Sequence, residues 1–219
     1  MVRPLPIAFL VSGEGTTLDA LAREVEEGRL PARIALVVSD RASAPALERA
    51  RRHGLPTLLL PGKGIPPERW AAELSRALRA RGVELVVLAG FLKILPPAWV
   101  TDWQGRAVNL HPSLLPKYGG PGMYGERVHA AVLAGGESET GVTVHLVTTD
   151  VDGGPPVAQE RVPVLPNDTP GTLRERLHPV EVRLLAETIR RFAEGALPLP
   201  HPGRAVARAE GDRGRELPG

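Results

Sequence analysis

The chain reads as an α/β protein with an open, mostly parallel sheet, helices on both faces and an antiparallel C-terminal portion. Three observations predict this. Short, continuous apolar runs alternate with helical stretches over the first half, as strands buried on both faces require. Glycines at 28, 54 and 82 close the helical stretches where the chain must turn back to the sheet. After residue 105 the runs give way to alternating patterns suited to antiparallel pairing.

The elements follow in order. Pro6–Val11 is a short apolar strand, and Ser12-Gly13-Glu14-Gly15 turns it into a helix running from Thr16 or Thr17 to about Glu27. Ala35–Val38 is a strand, Ala44–His53 a helix and Pro56–Leu60 a third strand. A loop over Pro61–Pro67 leads to a helix over Glu68–Ala80. Glu84–Ala89 is the most apolar run, which predicts the centre of the sheet. Repeated strand–helix–strand units impose right-handed crossovers and a Rossmann-like arrangement. Arg106–Leu110 is a strand that ends in His111, followed by a Pro/Gly-rich loop to Gly122 and a helix over Gly125–Ala134. Gly141–Val147 and Pro156–Val164 are antiparallel partners flanking the loop Thr148–Pro155. Thr172–Glu194 is the longest helix, with Leu173, Leu177, Val180, Leu184 and Phe192 on its apolar stripe.

The whole is expected to form one domain over residues 1–200, an N-terminal half to about 105 and a C-terminal half from about 106. Residues 203–219 carry four Arg, three acidic residues and four Gly with little to bury, so 201–219 is expected to be a disordered tail.

Composition bounds the function. The 219 residues are 42% hydrophobic and 24% charged, ordinary for a chain with a packed core. The absence of Cys excludes disulfides, thiolate metal sites and Cys nucleophiles. The N-terminus has no signal-peptide pattern and no apolar run reaches membrane-spanning length, so a cytoplasmic location is expected. A net charge of +2, with arginines such as Arg49, Arg51 and Arg52 beside Glu48, describes a solvated helix face and argues against a nucleic-acid partner. The six His show no ligand spacing, so no metal is expected.

Four features carry chemistry. The turn before the first helix offers free backbone N–H groups, Gly15 permits close approach, and Thr16 and Thr17 can cap the helix or bind a phosphate. The Lys of a P-loop and the third Gly of a dinucleotide fingerprint are missing, so the turn reads equally as an ordinary helix start. Asn109 and His111, two apart on a strand, point to one side where strand meets loop, which suits oxyanion stabilisation. Asp152 lies in a turn signal, Asp152-Gly153-Gly154-Pro155, and a carboxylate there could orient His111 and raise its pKa. Glu181 projects into the apolar stripe of the last helix and needs either a ligand hydroxyl or a basic partner.

Taken together, the string Asn109-Leu-His-Pro-Ser-Leu-Leu-Pro-Lys-Tyr118 and Asp152-Gly-Gly-Pro155 resemble the folate-dependent formyltransferases. With Ser12-Gly-Glu-Gly-Thr-Thr17 and Val87–Leu95, the resemblance is to the branch that formylates glycinamide ribonucleotide in purine synthesis, and it runs from about residue 5 to 195. It implies attack of the ribonucleotide amine on the formyl carbon of 10-formyltetrahydrofolate, through a tetrahedral intermediate and without a metal. On that resemblance Asn109 and protonated His111 stabilise the oxyanion, and Asp152 holds His111 charged and helps move protons. Gly15, Thr16 and Thr17 bind the phosphate, and Glu181 binds the ribose. Leu88, Phe91, Lys93, Ile94 and Leu95, with Thr148, Thr149, Asp150 and Val151, line the folate cleft. Many relatives carry Asn at the position of Thr17 and Arg at that of Lys93, which alters contacts and not the reaction. Small-molecule partners and a monomer or homodimer are expected. The sister transferases acting on tRNA add a C-terminal β-domain, and the formylfolate hydrolases an N-terminal one; neither is expected here. A nucleotide-binding module without catalysis is the alternative from another class.

Overall fold

The computed structural model describes residues 3–200. Seven strands form one sheet in the order β3-β2-β1-β4-β5-β6-β7. The strands are β1 Leu5–Val11, β2 Ala32–Ser39, β3 Thr57–Leu59, β4 Leu85–Ala89, β5 Ala107–His111, β6 Glu139–Leu146 and β7 Pro156–Pro163. β1 to β5 run parallel, and β6 and β7 pair antiparallel at the C-terminal edge. β4 is the middle strand, as its unbroken apolar run predicts. One continuous sheet runs through the described residues, and the expected tail over 201–219 lies outside them.

The helices are α1 Thr16–Glu26, α2 Pro45–Arg52, α3 Pro67–Ala80, α4 Pro97–Asp102, α5 Glu126–Ala134 and α6 Pro170–Ala193. Alternate β1 residues divide the core in two. Leu5, Ile7, Phe9 and Val11 face the cluster built with α1, α2, α5 and α6. Ala8 and Leu10 face Trp70 and Leu74 of α3, Trp99 of α4 and Trp103 just beyond it. Both sheet faces are therefore covered, which a parallel sheet requires.

Three sequence expectations are corrected here. α4 falls in a stretch to which the sequence reading assigns no element; Pro97 occupies its first turn, where its missing N–H has no helical partner to lose. The same physics starts α6 at Pro170, two residues before the expected Thr172, with Thr169 capping the helix through a reciprocal bond with Thr172. The buried stripe of α6 continues through Leu185 and Ile189, whereas Leu184 is only partly buried at its margin.

β1 lies between β2 and β4, so the crossovers leaving β1 and β4 diverge to opposite faces. That reversal opens a crevice beyond the carboxyl ends of the strands, the usual ligand position in open α/β sheets. The turn after β1, the segment after β4, the end of β5 and the loop between β6 and β7 all meet there.

Candidate active site

One wall is the turn after β1. Gly15 caps α1 at φ 71°, a left-handed conformation, and no side chain caps the helix start. Neither Thr16 nor Thr17 caps α1 with its side chain, so the first N–H groups stay free where the helix start faces the crevice, the condition an anion site requires. A Cβ on Gly15 would stand 2.5 Å from that of Ala46, so the close approach of α2 also demands glycine. α2 pins the turn from behind: Ala46 N–H donates to Gly13 O at 3.1 Å, and Arg49 Nε donates to Glu14 O at 2.8 Å.

The second wall is the end of β5. Val108 and Leu110 point into the α1/α6 core and Ala107 into the other, so Asn109 and His111 share the opposite side from Val108 and Leu110. The antiparallel ladder sets His145 of β6 directly across from Asn109. Asn109 Nδ2 donates to His145 Nε2 at 3.0 Å and to Asp152 Oδ1 at 3.2 Å. His145 Nδ1–H donates to Leu146 O at 2.9 Å, which leaves Nε2 as the acceptor Asn109 needs. His111 Nε2–H donates to Tyr118 O at 2.8 Å, and its Nδ1 stands 3.5 Å from Asp152 Oδ2.

Two left-handed residues aim these groups. Tyr118 at φ 58° turns its carbonyl toward His111, and Asp152 at φ 55° turns its carboxylate into the cluster. A non-glycine residue held there is strained, and such strain concentrates at functional sites. Gly120 N–H donates to Asp152 Oδ2 at 3.0 Å. The loop between His111 and Tyr118 carries a cis Leu115-Pro116 bond. It is anchored by Thr143, whose Oγ1 donates to Ser113 O and accepts from Leu115 N–H.

The charge states follow from these contacts. Burial alone would push the Asp152 carboxyl up, but the neighbouring His145 and His111 rings and the Gly120 amide together hold it below the usual range. Burial pushes His111 below its ordinary value despite Asp152 and the Tyr118 carbonyl, which both act the other way. Asp152 acts on His111 in the expected direction, but desolvation of the almost wholly buried ring outweighs it.

The third wall is α6 with α5. Glu181 faces the crevice and accepts no hydrogen bond from any described residue. Burial pushes it up to about 7, with Arg174 opposing. Arg174 does not close a pair with it; its Nη1 lies 3.7 Å from Glu126 Oε1. His129 and His178 line the same wall, and each has a buried ring nitrogen without a partner among the described residues.

The fourth wall holds all nine residues expected to bind a folate. Leu88, Phe91, Lys93, Ile94 and Leu95 face Thr148, Thr149, Asp150 and Val151 across a cleft floored by Asn109 and His145. It is apolar on the β4 side and lined by Thr148, Thr149 and Asp150 on the other, a polarity suited to a heterocycle. Lys93 Nζ sits 5.0 Å from the Trp70 ring. This cleft and the crevice share Phe91, Leu92, Ile94, Asn109, Val151 and Asp152, so every residue singled out in the sequence lines one continuous site.

Sequence reasoning missed His145, Arg174, His178, His129 and the Tyr118 carbonyl. The alternation of Gly141–Val147 could have exposed His145, once β6 was paired with β5. Arg174, His178 and Glu181 recur at helical spacing on α6, a polar stripe hidden beside the apolar one.

Comparison with known proteins agrees with this geometry. The Formyl transferase family matches residues 5–189. "Phosphoribosylglycinamide formyltransferase" of Haemophilus influenzae is 37% identical over 194 residues, covering 88% of this chain and 89% of that protein. "Trifunctional purine biosynthetic protein adenosine-3" of Drosophila pseudoobscura pseudoobscura is 40% identical over 87% of this chain, which spans only 14% of that protein's length. The crystal structure of glycinamide ribonucleotide transformylase 1 from Symbiobacterium toebii superposes with a TM-score of 0.82 at 42% identity, over 89% of this chain and 90% of that one. The sheet order, the cleft and the match over nearly the whole described chain lead to one conclusion: the chain belongs to the formyl transferase family.

Proposed function

We propose that this chain transfers a formyl group from 10-formyltetrahydrofolate to the amine of glycinamide ribonucleotide, a step of purine biosynthesis. One observation carries the reading: Asn109, His111 and Asp152 stand where an apolar cleft fit for a flat ring meets an uncapped helix start fit for a phosphate.

In this reading the free N–H groups at Thr16 and Thr17 take the phosphate, and Gly15 lets it approach. Glu181, costly to bury without a partner, accepts the ribose hydroxyls, with the Arg174 charge nearby. Leu88, Phe91, Ile94 and Leu95 pack the folate ring, the Thr148–Val151 segment, with Thr149 and Asp150, reads its polar edge, and Lys93 supplies positive charge at the mouth. Asn109 exchanges one of its two donated bonds for the formyl oxygen, where negative charge develops during attack.

Proton accounting assigns the rest. The amine loses one proton as its C–N bond forms, and the folate nitrogen gains one as its own C–N bond breaks. His111, neutral because it is buried, takes the first proton and returns the second. Asp152, ionised and 3.5 Å away, stabilises the imidazolium between the two steps. No step calls for a metal. The partners are small molecules.

Tetrahydrofolate release, followed by absorbance with and without the ribonucleotide, tests this reading. Release that requires the ribonucleotide is expected. Equal release without it makes the protein a formylfolate hydrolase, and no release from folded protein favours a non-catalytic binding module.

A further inference from the structure

Ser12 lines neither the cleft nor the crevice, yet it joins them. It is the first residue after β1 and only 3% exposed. Its N–H donates to Gly90 O at 3.1 Å, immediately beyond β4. Its Oγ accepts from Leu92 N–H at 2.9 Å and donates to Asp40 Oδ1 at 2.6 Å, immediately beyond β2. One hydroxyl thereby ties together the ends of three adjacent strands at the point where the crossovers diverge.

The chain on either side of this clasp forms the two halves of the site. Gly13–Thr17, the anion turn, follows Ser12 directly. Phe91, Ile94 and Leu95, the apolar side of the cleft, flank Leu92. We infer that Ser12 is a positioning residue, holding the ribonucleotide turn and the folate segment in one register through its bonds to Leu92 and Asp40. This rests on the two-substrate reading above. The chemistry is selective for a hydroxyl. Alanine leaves the Leu92 amide without its acceptor and Asp40 without its donor, both in a half-buried position where water replaces them poorly. Threonine keeps both bonds.

Steady-state kinetics with each substrate varied in turn, on wild type, Ser12→Ala and Ser12→Thr, tests the proposal. Ser12→Ala raises KM for the ribonucleotide and for the formylfolate together, each by about tenfold, as loss of one or two such bonds implies. Its kcat stays within about threefold of wild type, and Ser12→Thr keeps both KM values within about threefold. A Ser12→Ala enzyme in which either KM is unchanged, or in which kcat alone falls, overturns the inference. If Ser12→Ala does not fold, Asp40→Ala, which removes the anchor on the side away from the cleft, carries the same test with a smaller joint rise. Amide hydrogen exchange over residues 88–95 in the unliganded proteins separates the clasp from the reaction. Exchange faster by about tenfold in Ser12→Ala or Asp40→Ala, and not in Ser12→Thr, supports the clasp whatever the enzyme formylates. Unchanged exchange refutes it.

Discussion

At the scale of single residues the site is governed by competition between burial and charge. His111 has acceptors at both ring nitrogens, an arrangement suited to imidazolium, yet desolvation wins and the free ring is neutral near pH 7. A neutral ring beside an ionised carboxylate is the state a proton acceptor needs. His111→Ala should therefore lower kcat by about a hundredfold or more, the scale of a lost general base or oxyanion donor. Wild-type kcat should hold above pH 6.5 and fall as pH drops through the His111 pKa, which lies below that ordinary value. A pH–rate profile measures this, and a rate that climbs toward acid would show that the imidazolium is the working form. Asn109, His111 and Asp152 were legible in the sequence because a strand of period two and a turn signal announce them. His145 was not, because its role depends on a ladder register that pairs it with Asn109.

At the scale of elements, two helix features carry the site. The start of α1 stays uncapped because Gly15 occupies the capping position in a left-handed conformation against Ala46. Gly15→Ala brings both a strained backbone and a contact at 2.5 Å, so α1 or α2 must shift. The expected result is a loss of about 1–3 kcal/mol in stability by urea unfolding. KM for the ribonucleotide should rise more than KM for the formylfolate. An unaltered ribonucleotide KM would remove the turn from the phosphate site.

α5 supplies the other feature. His129 is buried with an unpartnered Nδ1, and burial, reinforced by Arg174, pushes its pKa down to about 4 from 6.5. The unfolded chain takes a proton at a higher pH than the folded one. The stability this neutral ring allows is complete above pH 6.5 and is lost as pH falls toward 4, by an order of about 3 kcal/mol. Comparing urea unfolding of wild type and His129→Leu at pH 7 and pH 4.5 isolates the effect. The variant should lose clearly less stability on acidification, and an identical loss in both would place the acid-sensitive group elsewhere. His53 has the opposite sign. Burial lowers its pKa, but its bonds to Asp19 and Glu26 raise it overall, so its contribution is complete in acid and fades as pH rises through the folded value.

At the scale of the whole molecule, the sheet and its helices were readable because parallel strands buried on both faces leave unbroken apolar runs such as Leu85–Ala89. The two helix starts that differ most from the sequence reading share one cause. α4 and α6 each begin with a proline in the first turn, where it acts as a start. The convergence of the walls was not legible, because it arises from strand order. Only when β1 sits between β2 and β4 do the anion turn, the apolar cleft and the Asn109–His111–Asp152 cluster share one crevice. That convergence implies direct transfer: the formyl carbon should pass between two substrates held side by side, without release to water. The most direct test uses 10-formyltetrahydrofolate labelled with carbon-13 at the formyl group, incubated with glycinamide ribonucleotide and the enzyme, with the label followed by NMR. The label is expected in the amide of the formylated ribonucleotide and not as free formate. Label recovered as formate while the ribonucleotide stays unmodified would contradict it.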